Sequence, residues 1–245
     1  MKYFNGLANK ISKILLLCLF GVLSISTASA SLIIASGDST PAFYAADSDN
    51  NVFFSNILGS GTSVLAHELS NSIIGGNLSS YYDGLAGVSS TYLDNSSITA
   101  GMLSGVDLFV TGLREGGFDA SEMSALNSFV DSGGSVMFMG EYTYAFNDIN
   151  DALAGIGSSM SLFGANIDIG THYAGVAVDP LTSGVSEYQY GATYGVSGGT
   201  ALFYDSTERV MTAYERTSVP ESSTLLLLGF SLLGFVLISK KRQIS

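Results

Sequence analysis

Cysteine occurs once in this 245-residue chain, histidine twice, and lysine nowhere between Ser31 and Pro220. The single cysteine, Cys18, lies in an apolar run near the start. The remainder therefore holds no disulfide and no thiolate zinc site. Leu17 precedes Cys18 where a lipidation signal needs a small residue, so no lipid anchor is expected. With only His67 and His172, three-histidine metal coordination is excluded. Across 31–220 the cations are Arg114, Arg209 and Arg216, set against 20 acidic residues, a net charge of −17. Such a surface repels phosphate backbones and excludes nucleic-acid partners. No Gly-rich phosphate loop precedes a helical pattern, which disfavours nucleotide cofactors, and no cofactor or metal is assigned.

What is present is concentrated at the two ends. Mean hydropathy is +0.36, yet the apolar excess sits mainly in two terminal runs. Lys2, Lys10 and Lys13 precede an apolar stretch from Ile14 to Ile25, followed by Ala28-Ser29-Ala30. Positive start, short apolar core and small-x-small site are the parts of a secretory signal, which predicts cleavage by signal peptidase after Ala30. At the other end Val219-Pro220-Glu221 precedes an apolar run from Thr224 to Ser239, then Lys240-Lys241-Arg242. A helix of that length rises about 24 Å against a hydrocarbon core of about 30 Å, so length alone leaves membrane span and buried core helix both open. Apolar character on all faces and a terminal cluster of cations favour the span.

The order of Pro-Glu motif, leucine-rich run with glycines and basic tail resembles the PEP-CTERM sorting signal. Ser222 stands where that signal usually has a second proline. The resemblance implies recognition by an exosortase-type membrane enzyme, a cut near Pro220-Glu221, and transient insertion of a C-terminal helix in the inner membrane. Release to the cell envelope or extracellular matrix would follow, with exopolysaccharide as an implied associate. The expected organisation is a signal peptide over 1–30, an α/β domain over 31–218 and a sorting signal with a short transmembrane helix over 219–245.

Within 31–218, Ser31 to Ala35 reads as a buried strand opening on Gly37-Asp38-Ser39. Helical patterns cover Val52 to Leu58 and Leu78 to Leu85; strand patterns cover Ser63 to Leu69 and Ser89 to Leu93. Val106 to Thr111 reads as a strand, Asp119 and Glu122 as the capping box of a helix through Val130, and Ser135 to Met139 as a second buried strand. A helix over Asp148 to Ile156 follows, and from Ser161 the pattern turns Tyr/Val/Thr-rich. This alternation predicts a doubly wound, mostly parallel α/β sheet with a β-rich C-terminal part and hydrophobic terminal helices, an arrangement that resembles flavodoxin- and amidotransferase-like sheets. Gly105-Val-Asp-Leu-Phe-Val110, Gly133 through Glu141, and Asp179-Pro-Leu-Thr-Ser-Gly184 resemble noncatalytic class I glutamine-amidotransferase-like domains. In catalytic members a cysteine follows the strand that here ends near Met139. Gly140-Glu141 stands there instead, which excludes that chemistry.

Four constellations bear on activity. Gly37-Asp38-Ser39 is the block in which serine esterases place their nucleophile, but the nearest approach to the needed Asp-x-x-His is Asp168 with His172, one residue too far apart. His67-Glu68 opens a zinc motif whose second His position is Asn71. Asp47-x-Asp49-x-Asn51 begins like a calcium loop but has Val52 and Leu58 at the required Gly and Glu, so helix capping is expected. Finally, a doubly wound sheet gathers Asp38, Arg114, Glu115 and Glu141 at its carboxyl edge, a candidate ligand edge. The leading expectation is an exported, noncatalytic envelope or matrix protein. The alternatives are a secreted esterase-like hydrolase, or a glycan- or cation-binding module using that edge.

Overall fold

Strand β1, Ser31–Ser36, is buried along its whole length. Both of its edges are paired and both of its faces are covered, which is why Leu32 to Ala35 is continuously apolar rather than alternating. A computed structural model describes residues 30–217 apart from 48, 68–71, 95, 113–115, 142–145 and 167–169. The further strands are β2 (Ser63–His67), β3 (Ser89–Leu93), β4 (Leu108–Thr111), β5 (Ser135–Met139) and β6 (Ser161–Asn166). They continue with β7 (His172–Val176), β8 (Tyr188–Tyr190), β9 (Thr193–Ser197), β10 (Thr200–Tyr204) and β11 (Val210–Thr217). The helices are α1 (Thr40–Phe43), α2 (Asn50–Leu58), α3 (Ser72–Asp83), α4 (Ala100–Leu103), α5 (Ala120–Asp131) and α6 (Phe146–Gly155).

Nine strands form one mixed sheet in the order β3-β2-β4-β5-β1-β11-β10-β7-β8, and β6 pairs with β9 as a separate two-stranded ribbon. The expectation of a doubly wound, mostly parallel sheet is therefore corrected. Pairing is parallel from β3 to β1, but every pairing from β1 through β11, β10, β7 and β8 is antiparallel. The cause is the connections. Parallel neighbours need a crossover of a dozen or more residues, and helices supply it as far as β5. Among the described residues beyond β6 only a 3₁₀ turn, Pro180–Thr182, interrupts the strands, and five residues separate β10 from β11.

The expected terminal hydrophobic helices, the membrane-spanning helix and the inner-membrane anchoring stage are corrected too. The longest described helices, α3 and α5, have 12 residues and rise about 18 Å, short of a hydrocarbon core of about 30 Å. No helix among the described residues is long and apolar enough to cross a membrane. The runs that carried the expectation, 14–25 and 224–239, lie outside the described residues, as do Ala28 and Val219-Pro220-Glu221.

Two apolar layers sandwich the sheet. On one face Phe53 and Phe54 of α2 and Leu78 and Tyr82 of α3 meet Ile34, Val110 and Met137. Tyr188 stacks on Phe203 with centroids 3.7 Å apart, and Phe53 packs edge-on against both. On the other face Leu126 and Phe129 of α5 and Leu153 of α6 meet Ile33, Phe109 and Phe138, and the ribbon adds Leu162 and Val196. Each fully buried Phe or Leu contributes about 1.5–3 kcal/mol. α5 begins where a local signal starts it: Asp119 accepts from the Ser121 and Glu122 amides while Glu122 accepts from the Asp119 amide. It ends at Gly133, whose φ of +98° favours glycine.

Candidate functional site

β1 and β5 lie side by side and parallel, with Ser36 opposite Met139, so Gly37-Asp38-Ser39 and Gly140-Glu141 leave the sheet together. The Gly140 amide donates to Ser36 O at 2.7 Å and the Gly37 amide to Met211 O at 2.8 Å. The Tyr194 amide donates to Gly37 O at 3.0 Å, bringing the ribbon over the turn. A Cβ on Gly37 would stand 2.0 Å from Tyr194 O, so only glycine fits there.

The polar side chains of this turn are taken up internally. Ser39 is buried, and its hydroxyl donates to Glu141 Oε2 at 2.8 Å. Asp38 is buried, with Oδ1 accepting from the Thr40 amide at 2.8 Å and Oδ2 from the Gly191 amide at 2.5 Å. Burial pushes the Asp38 carboxyl up to about 7, with the Glu141 charge adding to the rise and the amides of Gly191 and Thr40 opposing it. Burial likewise raises Tyr188 well above its usual value, the neighbouring Asp38 contributing, and raises Tyr194, with Glu141 contributing.

The structure thus brings Asp38 and Glu141 of the expected ligand edge together through Ser39. Arg114 and Glu115 lie outside the described residues, as does Asp168. The Ser39 hydroxyl is directed at the Glu141 carboxylate and is buried, whereas a serine nucleophile needs its oxygen open to substrate. His172 sits in β7, where its ring packs 5.5 Å from that of Tyr190.

His67 is a buried strand residue with both ring nitrogens engaged. Nε2 lies 2.6 Å from Ser96 O, and since a carbonyl only accepts, Nε2 carries the proton. Nδ1 lies 3.1 Å from Thr111 Oγ1. Glu68 and Asn71 lie outside the described residues. Among the described residues no group of three or more His, Cys, Asp or Glu is placed to hold a metal ion.

The capping expectation for Asp47, Asp49 and Asn51 is corrected. Asp49 occupies the N-cap position of α2 without a side-chain cap bond. Its carboxylate instead accepts from Ser186 Oγ and the Ser186 amide, both at 2.6 Å, and from the Glu187 amide at 3.0 Å. Those bonds lower its pKa. Next to it, the Asn50 side chain pairs with both backbone groups of Gln189 in β8: Oδ1 accepts at 2.8 Å and Nδ2 donates at 3.0 Å. A second donation reaches Pro41 O at 3.1 Å.

Two more working residues escaped the sequence reading. Asp205, buried at the β10–β11 turn, pairs with Arg209 at 2.9 Å and accepts from Thr207. Burial opposes its ionisation, but the Thr207 and Arg209 bonds and the Arg209 charge hold it below its usual value. Arg209 also donates to Gly164 O and lies 5.9 Å over the Phe163 ring, fastening the ribbon. The i,i+4 spacing of Asp205 and Arg209 was a visible signal, but its partners in β6 were not.

No family model matches the chain, and no curated protein matches it. Among solved structures, the mmIFT52 N-terminal domain is similar over 64% of this chain and 86% of its own length, at 16% identity and a TM-score of 0.45. The IMPa metallopeptidase from Pseudomonas aeruginosa is similar over 51% of this chain, at 16% identity and a TM-score of 0.36. IMPa in complex with an O-glycopeptide gives 17% identity and 0.35 over the same share. The chain spans 15% of the length of IMPa.

Proposed function

We propose that this chain is an exported, noncatalytic protein of the cell envelope or extracellular matrix, with residues 1–30 as its export signal and 219–245 as a sorting signal. The single observation that carries the noncatalytic part is the closure of the carboxyl edge. Ser39, the one residue in a recognisable catalytic block, is buried with its hydroxyl on Glu141. Asp38 is closed off by two backbone amides. Catalytic groups need access to substrate. Here Ser39 fixes the turn after β1 to the turn after β5, and Asp38 ties the first of them to Gly191.

The export part rests on the sequence of the two ends. Ala28-Ser29-Ala30 supplies the cleavage site, and Pro220-Glu221 with its basic tail supplies the motif an exosortase-type enzyme would read. An acidic, lysine-free and cysteine-free middle suits a protein that works outside the cell, where solubility matters and thiols oxidise.

Expression of the full chain in a host with an exosortase system, followed by mass spectrometry of both termini of the released protein, tests this reading. A new N-terminus at Ser31 and a C-terminus near Pro220 are expected. Released protein that keeps Lys240 to Ser245 would contradict the sorting half.

A further inference from the structure

β1 begins at the bond where signal cleavage is expected. Ala30, the residue before it, is exposed, while Ser31, its first residue, is fully buried and donates its hydroxyl to Val130 O near the end of α5. No linker separates the cleavage site from the sheet. β1 is also the strand that joins the two halves of the nine-stranded sheet. β5 with the parallel half lies on one side of it, and β11 with the antiparallel half on the other. Thr217 pairs with Ser31 and Arg216 with Leu32, so the β11 ladder runs to the first residue after the cut. Leu32 and Ile34 are buried in one apolar layer, Ile33 and Ala35 in the other.

We infer that signal cleavage must precede closure of the sheet, and that the closed fold seals the Ala30–Ser31 bond. The place of the cut rests on the export reading above; the seal rests on the geometry of β1. Hydrolysis adds water across that bond, hydroxyl to the Ala30 carbonyl carbon and hydrogen to the Ser31 nitrogen. A peptidase must therefore reach both sides of it. Peptides read in extended form lie along the protein that binds them, backbone paired to backbone. β1 has no edge left for such pairing, because β11 takes one from Ser31 onward and β5 the other from Ile33 onward. Freeing even its first residues draws Leu32 and Ile33 out of the core on opposite faces. A buried segment is cut only through its opened form, at a rate scaled by the population of that form. A chain that folds before it meets signal peptidase thus keeps its signal. One that is cut first delivers β1 free to join the two halves.

Purified signal peptidase in detergent, acting on the refolded full chain, tests the order. Ile34→Asp, which puts a charge into the core and keeps β1 out of the sheet, supplies an unfolded chain with the same cleavage site. A spacer of about six Gly and Ser residues between Ala30 and Ser31 moves the cut about 20 Å along the chain from an intact sheet. The folded parent should be cut at least about a hundredfold more slowly than Ile34→Asp, the weight of two aliphatic side chains leaving the core. The spacer chain, with the Tm of the parent, should be cut within about tenfold of the Ile34→Asp rate. A parent chain that shows a cooperative Tm yet is cut as fast as Ile34→Asp would overturn the inference. So would a folded spacer chain as resistant as the parent, since the protection would then lie elsewhere. A parent chain that cannot fold until it is cut bears out the same order directly. If Ile34→Asp is not cut after Ala30, the export reading fails as well. Fast cutting of the folded parent leaves that reading standing, so the two failures are separately visible.

Discussion

The Ser39 hydroxyl donates to Glu141 across 102 residues of sequence, at 2.8 Å, and joins the turn after β1 to the turn after β5. A hydrogen bond to a charged group contributes about 1.5–3 kcal/mol. Ser39→Ala should therefore lower stability by about 1–2 kcal/mol, the low end because Glu141 is only half-buried and water can replace the lost donor. Chemical denaturation with an unchanged m-value would show the effect to be on stability alone.

Asp38 should set a pH dependence of its own. Its carboxyl titrates near 7 in the fold and near 3.8 when unfolded, so the folded state holds the extra proton between those values. Its stabilising share is present below about pH 4 and is lost as pH rises through 7. Asp49, Asp205 and Glu215 are lowered instead, and their share is lost as pH falls through the carboxylate range. Stability should thus peak in mildly acid solution. Asp38→Asn should flatten the decline in Tm between pH 5 and 8 while leaving the acid limb in place. A decline just as steep in the variant would contradict this assignment.

Both open edges of the nine-stranded sheet are plugged by side chains. Asn50 occupies the backbone of Gln189 in β8, and Asp83 accepts from the Ser90 amide of β3 at 2.6 Å. Exposed edge strands pair with other chains unless blunted. Asn50→Ala should cost about 2–3 kcal/mol for its lost bonds and leave β8 free to pair. Light scattering should then show concentration-dependent self-association that the parent chain lacks.

Arg209 fastens the ribbon through Asp205, Gly164 O and the Phe163 ring. Arg209→Ala leaves the buried Asp205 carboxylate without its partner, an effect of about 3–5 kcal/mol for a wholly buried pair and less here, where Arg209 is partly exposed. Hydrogen exchange should rise first in β6 and β9. Uniform loss of protection across β1 and β5 would contradict a local role.

Local signals in this sequence were legible and distant ones were not. The Asp119–Glu122 capping box reads directly because both partners lie within one turn, and β1 reads as a buried strand because its apolar run is unbroken. The sheet was misjudged because parallel and antiparallel strands share a two-residue pattern, and direction depends on connections whose course the pattern leaves open. Asp49 shows the same limit at one residue: it sits at a cap, but its carboxylate serves Ser186, 137 residues away. At the carboxyl edge, Asp38 and Glu141 were named, while the closure by Gly191 came from 153 residues downstream.

The central proposal, that Ser39 and Asp38 are closed off and noncatalytic, is tested most directly by assaying the purified full chain against chromogenic esters and glycosides, beside Ser39→Ala and Glu141→Gln. The account predicts no turnover above the buffer blank for any of the three. Robust hydrolysis by the parent chain that disappears in either variant would contradict it.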